Sequence, residues 1–156
     1  MKFPRVLLLT FCVVVLAAST ALASDLAGLV AQVDVFKGAS PAQARTIAAK
    51  CKSFQAAKDQ HLIKKDTQAK ALFMLQSGQG KVRFKGKIVD TFGPGRVTGE
   101  MGFVGGGKAQ ADVFMSQAGV VATISWPDLR ALLDADPKLG YLVMENIARK
   151  IAGYSR

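Results

Sequence analysis

The spacing of apolar residues changes three times along the chain. Val6 to Ala18 is an unbroken uncharged run of 13 residues dominated by Val and Leu. From Asp25 to Phe36 the apolar positions thin out to Leu26, Leu29, Val30 and Val33, the spacing of one helical face. Gly38-Ala39-Ser40-Pro41 interrupts this face. Ser40 is a good N-cap and Pro41 is tolerated in a first helical turn, so Ala42 to Cys51 reads as a second short helix with Ala44, Ile47 and Ala48 on one side. From Lys52 the pattern shortens to apolar bursts separated by turn residues. The bursts are His61-Leu62-Ile63, Ala71 to Leu75, the alternating Lys81 to Phe84 and Lys87 to Asp90, Val113 to Met115, and Val120 to Ile124. Ser77-Gly78, Lys85-Gly86, Gly93-Pro94-Gly95 and Gly105-Gly106-Gly107 lie between them. Short strands at roughly ten-residue spacing with glycine turns predict a sandwich or barrel. After Trp126-Pro127 the helical period returns. Leu129, Leu132 and Leu133 form a short helix ending near Asp136-Pro137, and Leu139, Leu142, Val143, Ile147 and Ile151 form a longer amphipathic one. The order is helix pair, β block, helix pair.

The first apolar run has a different purpose. Lys2 and Arg5 precede it, and Ala21-Leu22-Ala23 follows it. A basic start, an apolar centre and an A-x-A site are the order of a secretory signal peptide, with cleavage after Ala23. The alternative is a retained anchor, since Val6 to Ala23 is 18 residues, at the lower limit for crossing a bilayer. Residues 1–23 are therefore a signal peptide or a membrane anchor, and 24–156 are the folded domain. Either reading keeps the basic end in the cytoplasm. The domain is then secreted, periplasmic or lumenal, or anchored on the non-cytoplasmic side.

Half of the residues are hydrophobic and 21% are charged, a globular composition. The formal net charge is +10, and setting Lys2 and Arg5 aside leaves 19 basic against 11 acidic residues, or +8. Such an excess favours anionic partners without specifying one. With the leader removed Cys51 is the remaining cysteine, which excludes an intramolecular disulfide, and it is expected as a small buried group near a helix end. His61 is the one histidine, and no Cys/His/Asp/Glu cluster has metal-ligand spacing. No nucleophile–histidine arrangement is supported, and the glycine stretch lacks the Gly-Lys-Ser/Thr ending of a phosphate-binding loop.

Several segments, in order, resemble the cyclic-nucleotide-binding domain family over nearly all of residues 26–152. They are Val33 to Gln43, Leu62 to Asp66, Ala71 to Gly78, Phe92-Gly93-Pro94-Gly95, Gly99-Glu100-Met101-Gly102-Phe103, and Trp126 to Leu133. The resemblance implies a mainly β fold with flanking helices: an eight-stranded jelly roll, a cupin-like β-roll, with an N-terminal helix pair and a C-terminal short plus long helix. It also implies a phosphate-binding cassette, here Gly99, Glu100, Met101, Lys108, Ala109 and Ala111. In that family backbone N–H groups at a short helix face the cyclic phosphate, a glutamate accepts from the ribose hydroxyl, and an arginine fork pairs with the phosphate. Gly99 and Glu100 match. The arginine position falls at Ala109, and the following Ser or Thr falls at Asp112. Lys108 is adjacent, but a lysine is a point charge. A carboxylate at 112 beside the phosphate would cost on the order of 4 kcal/mol at ~4 Å and an effective dielectric of about 20.

These features predict a non-catalytic regulatory or structural module that binds a protein partner, either as an accessory subunit of a membrane complex or by self-association through the C-terminal helix. Residues 6–23 would add membrane attachment if uncleaved. No metal or cofactor is expected. The alternative is a cAMP or cGMP sensor using Glu100 and Lys108. Many family members carry a helix-turn-helix after the long helix, whereas this sequence runs to Arg156, so sequence-specific nucleic-acid binding is not expected.

Overall fold

The computed structural model describes residues 25–154, so the expectations for the leader at 1–23 fall outside the described residues. A helix over residues 25–32 (α1) opens this part, followed by a 3-10 turn at Asp34–Phe36 and helix α2 at Pro41–Ala48. Eight strands are interrupted by one short helix: β1 Lys52–Ala56, β2 His61–Ile63, β3 Ala71–Leu75, β4 Gln79–Phe84, β5 Lys87–Phe92, β6 Val97–Thr98, α3 Glu100–Gly105, β7 Asp112–Gln117 and β8 Gly119–Ser125. Helices α4 (Trp126–Ala135) and α5 (Pro137–Tyr154) close it.

The strands form two four-stranded antiparallel sheets, ordered β1-β8-β3-β6 and β2-β7-β4-β5. This is the expected jelly roll with helices at both ends. The first sheet is a middle layer. Alternate residues of β3 and β8 (Leu72, Met74, Ala122 and Ile124) face the helices, where they meet Val30, Phe36, Ile47, Leu129, Val143 and Ile147. The intervening Leu75 and Val121 face the second sheet and meet Ile63, Phe92, Val113 and Met115 inside the roll. A strand covered on both faces must be apolar at every position, which is why Ala71 to Leu75 reads as one unbroken burst. Phe92 fills the roll by lying on Gly80, its cross-strand partner; a Cβ there would meet the Phe92 ring at 2.4 Å.

The helix ends are set by short polar side chains. At α2, Ser40 and Gln43 form a reciprocal capping box, Ser40 Oγ accepting from Gln43 N at 3.2 Å and Gln43 Oε1 accepting from Ser40 N at 2.8 Å. Ser125 caps α4 by accepting from Asp128 N. Asp136 accepts from Leu139 N at 3.1 Å in the first turn of α5 and from Gln43 Nε2 at 2.7 Å, joining the two helical ends of the chain.

Two of the eight strands lie outside the apolar bursts read from the sequence. β1 is a mostly polar edge strand, paired with β8 through Lys52↔Thr123 to Ala56↔Gly119, and β6 has only two residues. Neither carries an apolar burst. The first helical segment also stops at residue 32, because Asp34 N turns to bond Gly95 O and its carboxylate accepts from Val35 N. α2 ends at Ala48, three residues before Cys51.

Candidate functional site: the cassette turn

Gly99 sits between β6 and α3 with φ at +98°, and a Cβ there would lie 2.6 Å from Ala71 O. Both the left-handed backbone and the close strand contact require glycine. The turn delivers Glu100 to the first position of α3, where it is 3% exposed. Phe103 N donates to Gly99 O at 3.2 Å, and the Phe103 ring meets Trp126 edge-on with centroids 6.2 Å apart. Gly102 lies flat on the same indole, with a Cβ position 2.9 Å from its rim. Arg130 of α4 stacks 4.8 Å from the Phe103 ring centre and donates to Phe103 O at 3.1 Å. The short helix α3 is thus clamped between β3 and α4. Met101 points outward and is exposed.

Glu100 is met by a residue that motif reasoning passes over. Lys150, in the last turns of α5, is 10% exposed, and its ammonium lies 3.7 Å from Glu100 Oε1. The same Nζ is 2.8 Å from Asp34 Oδ2 and donates to Val97 O at 2.6 Å. Three oxygens from the 3-10 turn, β6 and α3 therefore converge on one ammonium, those of Asp34 and Val97 within hydrogen-bond distance and that of Glu100 as an ion-pair partner. The sequence carries a signal for this. Lys150 follows Val143 by seven residues and Ile147 by three, which places it on the buried stripe of α5, and Asp34 lies between the buried Val33 and Val35.

The second half of the cassette is arranged differently. Gly106 and Gly107 have φ of +63° and +82°, and Lys108 follows them as an exposed side chain. Ala109 is stitched to the β2–β3 loop on both sides, its N–H donating to Thr67 O and its carbonyl accepting from Asp66 N, each at 2.8 Å. Its methyl packs beside the core within the roll. Ala111 is half-buried at the approach to β7. Asp112 is the first residue of β7. It alternates with the inward Val113, so its carboxylate lies on the outer face, accepts from Lys65 N at 3.0 Å and faces His61 Nε2 at 3.8 Å.

Cys51 donates to Ile47 O at 3.4 Å, and burial pushes its thiol from 9.0 up to about 12, the opposite of an activated nucleophile. Among the described residues no group of His, Cys, Asp and Glu could hold a metal ion, and no helix is long and apolar enough to cross a membrane.

Comparison with known proteins agrees with this architecture. A cyclic nucleotide-binding domain from Methylobacillus flagellatus superposes with a TM-score of 0.74 at 22% identity, covering 86% of this chain and 78% of the other. The regulatory domain of Toxoplasma gondii PKA, solved with cAMP, gives 0.76 at 14% identity over 88% of this chain and 52% of that one. Thermus thermophilus catabolite activator protein gives 0.69 at 18% identity over 78% and 60%. This chain thus spans only about half to three fifths of the length of the last two. At these identities the likeness is one of fold. No curated protein sequence matches the chain. The profile of the cyclic nucleotide-binding domain matches residues 53–136, more than half of the sequence, and the chain belongs to that family.

Proposed function

We propose that this domain is a non-catalytic regulatory or structural binding module that has given up cyclic nucleotide and acts through contacts with a protein partner. The observation that carries this reading is the junction at Glu100. The carboxylate at the family's ribose-binding position is buried and engaged by Lys150 of the molecule's own C-terminal helix. Ala109 supports the same conclusion, because a methyl stands where the arginine fork would grip the phosphate. Losing one charge-assisted hydrogen bond weakens binding by roughly 1.5–3 kcal/mol. Residues 1–23 support export or anchoring across a membrane, away from the cytosol where cyclic nucleotides are mainly made and sensed. Tyr141 and Met144 are exposed one turn apart on α5, in keeping with contact through that helix, whether with a membrane-complex subunit or a second copy.

Calorimetric titration of the full chain with cAMP and cGMP tests the reading. No heat at millimolar nucleotide is expected. Micromolar binding that disappears in Glu100→Ala would replace it with a sensor in which Lys108 faces the phosphate. The outward Asp112 carboxylate favours that second reading, since it removes one obstacle to an anion.

A further inference from the structure

Three pairs of large apolar side chains are exposed on the described surface: Met101 and Val104 on α3, Tyr141 and Met144 on α5, and Ile88 and Val89 on β5. Their electrostatic settings differ. The α3 pair lies on a six-residue helix that carries no exposed charge of its own, its one ionisable group, Glu100, being buried against Lys150. The α5 pair adjoins an ion pair in which Arg149 meets Glu145 at 2.7 Å. The β5 pair lies in a hairpin, Lys81-Val82-Arg83-Phe84-Lys85-Gly86-Lys87-Ile88-Val89, with four cations and no acid. Of the acids nearest the hairpin, Asp90 is held by Arg96 at 2.8 Å and Asp112 stands opposite Arg83 on β7, away from Lys85 and Lys87 at the tip.

The hairpin is also built to hold these groups outward. Lys85 and Gly86 both have positive φ, +49° and +79°, giving the tight two-residue turn whose twist matches paired strands. Lys85 Nζ lies 5.2 Å from the Phe84 ring centre, and Arg83 stacks 4.5 Å from the Phe114 ring centre. The register shifts between Val82 and Arg83, so Val82 pairs with Asp90 and Arg83 with Ile88, leaving Val89 as the extra residue of a bulge and 58% exposed. Ile88 is 46% exposed beside it.

We propose that the β4–β5 hairpin is a docking site for an anionic bilayer surface, with Lys81, Arg83, Lys85 and Lys87 against the headgroups and Ile88 and Val89 entering the acyl boundary. Cations set around aliphatic side chains fit the two zones of a membrane interface. The exposed apolar groups are aliphatic rather than stacking rings, which does not suit single-stranded nucleic acid.

The test uses the full chain with vesicles of roughly one part phosphatidylglycerol to three parts phosphatidylcholine, and with phosphatidylcholine alone, read by hydrogen exchange along the sequence. A local readout separates the hairpin from any attachment through the leader. Slowed exchange at residues 79–92 is expected on the anionic vesicles only and is expected to fade as salt rises. The double variant Lys85→Glu with Lys87→Glu should raise the lipid concentration needed for half protection by more than about tenfold, each cation being worth severalfold in affinity. Val89→Ser, which leaves the charges alone, should weaken protection by a smaller factor. Protection that is equal on neutral vesicles, or untouched by the charge variant in protein of unchanged thermal midpoint, overturns the proposal. Protection by polyglutamate with none by vesicles would assign the hairpin to an acidic protein and also overturns it.

Discussion

Lysines occur in two opposite settings in this molecule. Lys150 lies under the helices with Asp34, Glu100 and Val97 O around its ammonium. Lys85 and Lys87 stand in solvent at the tip of the β4–β5 hairpin, with no acid beside them in the strand-turn-strand sequence. Burial makes the first a structural element, because an ammonium taken out of water is tolerable only with oxygens close around it. Asp34 Oδ2 and Val97 O lie within hydrogen-bond distance, and the buried Glu100 carboxylate supplies an ion-pair partner at 3.7 Å. Exposure frees the others from any role in folding. One residue type thus joins elements far apart in sequence in one setting and stays in solvent in the other.

The sharpest way to break this contrast is Lys150→Met, which keeps the apolar stem and removes the charge. It leaves the buried Glu100 carboxylate and Asp34 without their shared cation. Loss of about 3–5 kcal/mol is expected, read as a lower urea midpoint, with protection of α3 and α5 in hydrogen exchange falling together. A loss no larger than that of a surface lysine would mean the junction is solvated and merely adjacent.

A smaller effect should appear at Asp136, the carboxylate that joins α2 to the start of α5. The Gln43 side-chain hydrogen bond, followed by the Leu139 backbone bond, holds its carboxyl below the ordinary 3.8. Because the folded value is the lower one, the stabilisation is fully present above 3.8 and is lost as pH falls through the folded value. Asp136→Asn should therefore be less stable than the parent at neutral pH, with the gap closing in unfolding curves taken below that point.

The smallest effect belongs to Lys85→Gln with Lys87→Gln. The thermal midpoint should move by no more than roughly 0.5 kcal/mol allows, since nothing buried depends on either ammonium. A large drop would show that the hairpin tip contributes to folding and would remove the contrast with Lys150.

Most of the architecture was legible because burial writes a period into the sequence. β3 and β8 are covered on both faces and read as continuous apolar bursts. α5 is covered on one face and reads as a stripe, and Ser40-Pro41 announces the start of α2. β1 and β6 left no such trace, one being a polar edge and the other two residues long, so backbone pairing rather than side-chain burial defines them. Within the candidate site, Gly99 and Glu100 could be found by motif, whereas Lys150 and Asp34 could be found only by asking why a charge sits on a buried stripe. Asp112 shows the reverse: counting parity from Val113 would have placed its side chain outside the roll before any motif was consulted.

The bulge at Val82/Arg83 bears on solubility as well as on shape. β5 is the free edge of its sheet, and an edge of β-branched residues offers hydrogen-bonding groups to any strand that drifts past. The extra residue breaks the spacing of those groups, and Lys87 at the strand's start sets like charges against each other whenever two copies approach edge to edge. The hairpin can therefore carry exposed Ile and Val without seeding strand-by-strand polymerisation.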